Sequence, residues 1–156
     1  MITPSIYRDL LLEHARHPKN SGRLESPDLK ATAFNPLCGD ELELTLTLSE
    51  GTIHDCKTQV RGCSICQASA SMMSELILAK TLQEARKISE VFTKSLHKDN
   101  EEIAASLDSL RPLIALKNQP EKWSHLFFYL LGTQKYPEMF LMPFYAAGPF
   151  IFLKKQ

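Results

Sequence analysis

The clearest pattern in the chain is the alternation of polar and apolar residues at residues 41–48 (ELELTLTL), which predicts a β-strand with one buried face. Residues 49–51 (SEG) suit a hairpin turn, and residues 52–61 are predicted to form the return strand. Another short strand is expected at about residues 29–34. These segments together predict a small antiparallel sheet of about three strands.

Apolar residues recur with helical spacing on both sides of this sheet. A first helix is expected around residues 6–15, before Pro18 and Gly22. The strands are followed by further predicted helices at residues 64–79, 82–96, 101–116 and 121–131. Because the strands precede most of the helices and do not alternate with them, the predicted class is α+β, with the sheet packed against four to five helices.

The end of the chain has a different composition. Residues 1–134 are predicted to form one domain, and residues 135–156 an apolar C-terminal extension. The apolar run at residues 139–153 contains two prolines, and it is shorter than the roughly 20 residues that a membrane-spanning helix needs. We expect the extension to pack on its own domain or to form a homodimer with a second copy, because an exposed apolar tail promotes aggregation.

The composition narrows the classes of partner. The 156 residues include 18 basic and 18 acidic side chains, so no broad charge favours nucleic acid or an anionic membrane. Asp9 and Glu13 interrupt the apolar pattern near the N-terminus, which is unlike a secretion signal, so we expect a cytoplasmic location. Four cysteines in that compartment favour metal binding, catalysis or burial over disulfides. Cys56 lies within a strand pattern and is predicted to be buried.

Two short segments carry the candidate chemistry. Gly39 separates Cys38 from Asp40 and permits a tight turn, so that a thiolate and a carboxylate can converge on one ion. Cys63 and Cys66 stand at the predicted start of a helix, where negative charge is favoured. Their spacing fits zinc binding, a redox disulfide or neither, and the residues alone leave these three alternatives open.

These segments also carry a resemblance to a known family. They resemble the two signature segments of the IscU/NifU-type iron–sulfur cluster assembly scaffolds, and of the SufU branch in particular. The opening of the chain is similar to that family as well, and the similarity extends over most of the sequence. The matching segments are residues 6–8 (IYR), 17–22 (HPKNSG), 35–40 (NPLCGD), 62–65 (GCSI) and 68–73 (ASASMM).

The resemblance implies a site for zinc, iron or a nascent 2Fe–2S cluster, built from three cysteines and an aspartate. Cys38, Asp40 and Cys63 match the first cysteine, the aspartate and the second cysteine, and are the expected cofactor-binding residues. The third family cysteine is missing, and a gap-free placement of the SufU pattern puts His125 in its position. Imidazole is a competent ligand, so His125 or Cys66 is expected to complete the metal site.

The function implied by the resemblance is iron–sulfur cluster assembly. The chain would act as a scaffold, as a zinc-dependent sulfur acceptor from a cysteine desulfurase of the SufS type, or as both, and would serve iron–sulfur acceptor proteins. Such a protein is a carrier with sulfurtransferase-like chemistry more than an enzyme in the usual sense.

The missing family cysteine affects the sulfur chemistry. Because imidazole cannot carry a persulfide, Cys66 is the expected acceptor, as the thiol least needed to close a tetrahedral site. Two alternatives remain: a diverged zinc-binding adaptor or regulator without scaffold activity, and a thiol oxidoreductase that uses Cys63 and Cys66.

Overall fold

The computed structural model describes residues 4–35, 39–97, 105–114 and 150–154. Helix α1 comes first and is followed by three strands, the helical part and a last strand. This order confirms the α+β prediction, while the predicted helix at residues 121–131 lies outside the described residues. The elements are α1 (Pro4–Arg16), β1 (Leu29–Asn35), β2 (Asp40–Ser49), β3 (Thr52–Arg61), α2 (Ser64–Ile77), α3 (Leu82–His97), a 3-10 helix (Ala105–Leu110), α4 (Arg111–Ile114) and β4 (Phe150–Lys154).

The strands form one antiparallel sheet in the order β3-β2-β1-β4. The predicted hairpin turn between β2 and β3 is confirmed, with Glu50 and Gly51 both at positive φ (52° and 78°), as a tight two-residue turn requires. Near this turn the register shifts, so that Ile53 and Cys56 are both buried although they are three residues apart. Burial raises the pKa of the Cys56 thiol to about 12 and confirms its predicted place in the core.

The fourth strand comes from the apolar end of the chain. Residues 150–154 pair with β1, from Phe34 opposite Phe150 to Lys30 opposite Lys154. This part of the extension is therefore an edge strand of the same sheet, whereas the division of the chain at residue 134 stays a prediction. Within the described ranges, none of the helices combines the length and apolar character needed to cross a membrane.

Helix α2 is the central element of the packing. It contacts α1, β3 and the 3-10 helix, and it is buried along most of its length. Its small and flexible residues, mainly alanine, serine and methionine, suit a helix that is covered on several sides. Among the described residues, the largest fully buried apolar side chains lie on α2 itself, on the facing strands and in the 3-10 helix: Leu42, Leu46, Ile53, Met73, Ile77, Leu107 and Leu110.

The segment after α1 ties α2 to the sheet. The Lys19 N–H donates to the Ser71 hydroxyl of α2 at 2.8 Å. The backbone carbonyl of the following residue, Asn20, accepts a hydrogen bond from the Thr58 N–H of β3, also at 2.8 Å. Nδ1 of His14 in α1 lies 2.8 Å from the same Ser71 oxygen, so one buried hydroxyl joins two helices and a loop.

We predict that Ser71→Ala lowers the free energy of unfolding by roughly 0.5–1.5 kcal/mol, because it removes the buried hydroxyl that accepts the Lys19 N–H and lies beside Nδ1 of His14. Urea denaturation measures the change. Ser64→Ala, at the exposed start of the same helix, is the matched control and should stay within about 0.5 kcal/mol of the wild type. Equal losses in the two variants would contradict the structural role of Ser71.

Glu43, on β2, holds two basic side chains. Its carboxylate forms a two-point ion pair with Arg23 and accepts a further bond from Lys30 Nζ at 2.9 Å. The hydrogen bond from Arg23, followed by the interaction with Lys30, lowers the pKa of Glu43 below its ordinary value of 4.5, against the opposing effect of partial burial. The cluster fastens the loop before β1 to the sheet.

A lowered pKa in the folded state means that the ion pairs contribute stability above the unfolded-state pKa, near 4.5. That contribution should disappear as the pH falls below this value and through the folded-state pKa. We therefore expect Glu43→Gln to flatten the acid limb of stability against pH, measured by denaturant unfolding at a series of pH values. The exposed Glu41→Gln on the same strand is the control; an unchanged acid limb in Glu43→Gln would refute the assignment.

Candidate functional site

The register of the β2–β3 hairpin brings the two sequence motifs together. Strand β2 begins at Asp40, strand β3 ends at Arg61, and Glu41 pairs with Arg61. Asp40 therefore lies beside the residue that follows β3, which is Gly62. Since α2 begins only two residues later, its N-terminus lies at this same end of the sheet.

A direct contact joins the motifs. The backbone N–H of Cys63 donates to Oδ1 of Asp40 at 3.0 Å, and the Cys63 thiol lies 3.5 Å from Oδ2. The Asp40 residue is only 3% exposed, so its carboxylate depends on such partners to offset the loss of water. Both carboxylate oxygens thus face Cys63, and the thiol sulfur and Oδ2 are close enough to approach a common ion.

Gly62 makes this contact sterically possible. A Cβ atom at this position would lie 2.7 Å from Oδ1 and 2.8 Å from Cγ of Asp40, well inside van der Waals contact. Gly62 does not have a positive φ, so the glycine is needed for the close approach and not for an unusual backbone conformation. The sequence showed Gly62 in a signature segment, but only the coordinates show which side chain it accommodates.

The two cysteines at the start of α2 differ in solvent exposure. Cys63 is the N-cap residue, with φ −68° and ψ 167°, and its carbonyl accepts the Gln67 N–H at 3.0 Å. The thiol of Cys63 is exposed, whereas Cys66 in the first turn is only 2% exposed. The Gln67 side chain also donates to the Val60 carbonyl at 3.3 Å, which fixes the first turn of α2 against β3.

Part of the predicted site can be located. The structure brings Asp40 and Cys63 together and places Cys66 one turn along α2, while Cys38 and His125 lie outside the described residues. Within the described part of the chain, no group of three or more His, Cys, Asp or Glu residues forms a candidate metal site. The donor types of Asp40 and Cys63 suit zinc, but the complete ligand set stays a prediction.

Comparison with known proteins decides the family. The model of the NifU-like N terminal domain matches residues 6–112. The chain belongs to this family. The resemblance carried by the two signature segments is therefore confirmed, and the contact between Asp40 and Cys63 lies within the matched region.

Individual relatives agree with this assignment. The chain is 30% identical over 118 residues to the zinc-dependent sulfurtransferase SufU of Bacillus subtilis, covering 76% of this chain and 80% of that protein. It is 36% identical over 83 residues to the iron–sulfur cluster assembly scaffold protein IscU 1 of Archaeoglobus fulgidus, covering 53% of this chain and about half (54%) of the relative. The crystal structure of a nitrogen-fixing NifU-like protein (N-terminal) from Brucella abortus has a TM-score of 0.69 at 25% identity, covering 81% of this chain and 90% of that one.

We predict that Gly62→Ala destabilises the fold by roughly 1–3 kcal/mol, because the added methyl group displaces the Asp40 carboxylate from the Cys63 N–H. A double-mutant cycle with Asp40→Ala, followed by denaturant unfolding, measures the coupling. Once the carboxylate is removed, the second substitution should cost much less. Additive effects of the two substitutions would show that Gly62 acts independently of Asp40.

Proposed function

We propose that this chain is an iron–sulfur cluster assembly protein that accepts sulfur from a cysteine desulfurase and binds zinc or a nascent cluster beside the N-terminus of α2. The observation that carries the proposal is the contact between the buried Asp40 carboxylate and the exposed Cys63 thiol. The names of the relatives, a zinc-dependent sulfurtransferase and a cluster assembly scaffold, support the same chemistry.

Zinc or iron would be held by Oδ2 of Asp40 and Sγ of Cys63, together with Cys38 and His125 from the segments outside the described residues. A bound zinc ion keeps its thiol ligands deprotonated. Cys66 would be the fourth metal ligand in place of His125 if His125 does not reach the ion. An iron–sulfur cluster on the same residues would be cargo, assembled there and passed to acceptor proteins.

The protein's own residues carry the sulfur uptake. The thiolate of an acceptor cysteine attacks the outer sulfur of the desulfurase persulfide; a new sulfur–sulfur bond forms, and the desulfurase cysteine leaves as thiolate. The sequence favours Cys66 as this acceptor. At 2% exposure, however, Cys66 is shielded from a protein donor, whereas Cys63 is open to one. We therefore propose Cys63 as the point of entry, where its sulfur attacks as thiolate after it has left the metal.

The proposal extends to partners and location. The sulfur donor would be a cysteine desulfurase of the SufS type, the products would go to iron–sulfur acceptor proteins, and the setting would be the cytoplasm. A homodimer formed through residues 135–156 would use the edge strand β4. In this proposal the protein is a carrier and scaffold. If the purified protein binds zinc tightly but takes up no sulfur, it would instead be a zinc-binding adaptor or regulator.

We predict that Cys63→Ala and Asp40→Ala each weaken zinc binding by more than roughly 10–100-fold, because that loss is typical when only a residue that supports a metal ligand is changed. Zinc competition with a chromophoric chelator, combined with metal analysis of the purified protein, measures this. Cys56→Ala is the matched control, because that thiol is buried in the sheet core, and it should keep wild-type affinity. Unchanged zinc binding in Cys63→Ala would contradict the proposed site.

A further inference from the structure

The two cysteines at the start of α2 are close together in the chain but differ in solvent exposure. Cys63 caps the helix with its thiol exposed, and Cys66 follows three residues later with 2% exposure. Residues three apart lie on the same face of a helix. The zinc site proposed above does not require Cys66 when His125 completes it, and Cys63 can carry sulfur once its thiolate has left the metal.

The backbone places the two residues within disulfide range. The hydrogen bond from the Gln67 N–H to the Cys63 carbonyl shows that α2 is regular from its first turn. In a regular α-helix, Cα atoms three residues apart are separated by about 5 Å, which lies inside the range of about 4.4–6.8 Å for disulfides. The Cα spacing of Cys63 and Cys66 is therefore compatible with a disulfide.

We propose that Cys66 is a resolving thiol that releases sulfide from a persulfide carried by Cys63. This step rests on the proposed function, because a persulfide must first form on Cys63. The Cys66 sulfur attacks Sγ of Cys63 while its proton passes to the departing outer sulfur; the bond between Sγ and the outer sulfur breaks, and the outer sulfur leaves with the electron pair. The products are one disulfide and one molecule of hydrogen sulfide.

The electrons balance within the protein. If the outer sulfur of the persulfide is assigned oxidation state zero, it gains two electrons when it leaves as sulfide. Each of the two cysteine sulfurs formally supplies one of these electrons. Iron–sulfur clusters contain sulfide, so a reduction of this kind has to occur before sulfur enters a cluster. The Cys63–Cys66 disulfide is then reduced by a dithiol of the thioredoxin class, which restores both thiols.

The difference in exposure gives the two thiols their order of action. A donor protein reaches the exposed Cys63 but not the buried Cys66, so the persulfide is loaded first on Cys63. In the attack, the Cys66 sulfur, Sγ of Cys63 and the outer sulfur must lie nearly in a line. The outer sulfur therefore points away from Cys66, and the exposure of Cys63 leaves room for it on the solvent side. Because both thiols belong to one helical turn, the attack is intramolecular and needs no solvent access to Cys66.

The experiment follows sulfur on the full-length protein. Wild type, Cys66→Ser and the control Cys56→Ser are loaded anaerobically by a resin-bound cysteine desulfurase with limiting cysteine, and the resin is then removed. Intact-protein mass spectrometry, peptide mapping and a colorimetric sulfide assay are run over time without added reductant. Cys66→Ala is a second variant for the case in which a buried serine impairs folding.

We expect wild type and Cys56→Ser to release sulfide and to form the Cys63–Cys66 disulfide in equal amounts. In Cys66→Ser the persulfide on Cys63 should live at least about tenfold longer, because the intramolecular thiol is gone. A persulfide on Cys63 that is equally long-lived in wild type and Cys66→Ser would overturn the resolving role and leave sulfur uptake intact.

Two further results are also decisive. If no variant, wild type included, acquires the mass of an extra sulfur or releases sulfide, the proposed sulfur uptake itself fails. If sulfide is released while Cys63 becomes linked to Cys38, the resolving thiol is Cys38, and the role of Cys66 is refuted. Peptide mapping of the disulfide separates this outcome from the expected one.

Discussion

The contact between Asp40 and Cys63 joins segments that lie more than twenty residues apart in the sequence, and the strand register makes it possible. Because β2 and β3 are antiparallel, the beginning of one strand and the end of the other meet at one end of the sheet. Gly62 leaves room there for the buried carboxylate, which accepts the Cys63 N–H. The position of the thiol therefore depends on backbone pairing as well as on its own helix.

Helix α2 keeps this geometry rigid from the other side. Its first turn is held to β3 through Gln67, and its middle is held to α1 and the following loop through the buried Ser71 hydroxyl. A helix that is packed on several faces cannot rotate or slide without breaking these bonds and opening the core. The site is consequently carried by regular elements, which position side chains more accurately than loops do.

Much of this arrangement could be predicted from the sequence. The alternation in β2, the hairpin turn and the start of α2 are local signals, and all are confirmed. The start of α3 carries a local signal of the same kind, a capping box. The Thr81 backbone N–H and hydroxyl donate to the Glu84 carboxylate, which lowers the pKa of Glu84, and the Glu84 N–H donates to the Thr81 hydroxyl. Family resemblance, not periodicity, identified Asp40 and Cys63 as members of one site.

Other features depend on contacts between distant segments, and no local pattern encodes them. The pairing of residues 150–154 with β1 is one example, because an apolar run with prolines does not specify its strand partner. The need for Gly62 is another, since its φ is ordinary and only the nearby Asp40 excludes a side chain. The burial of Cys66 likewise follows from the packing of α2, and the acceptor role that the sequence gives it stays a prediction.

The described cysteines show how environment separates identical side chains. Cys56 is enclosed in the sheet core, where burial raises the pKa of its thiol to about 12 and keeps it protonated at neutral pH. Cys63 is exposed at a helix N-terminus beside a carboxylate, and Cys66 is shielded from solvent one turn away. Reactivity toward a protein donor requires access, whereas reactivity between neighbouring thiols requires proximity and an in-line approach. A thiol that is buried can therefore still act on its exposed neighbour, provided that the neighbour is loaded first.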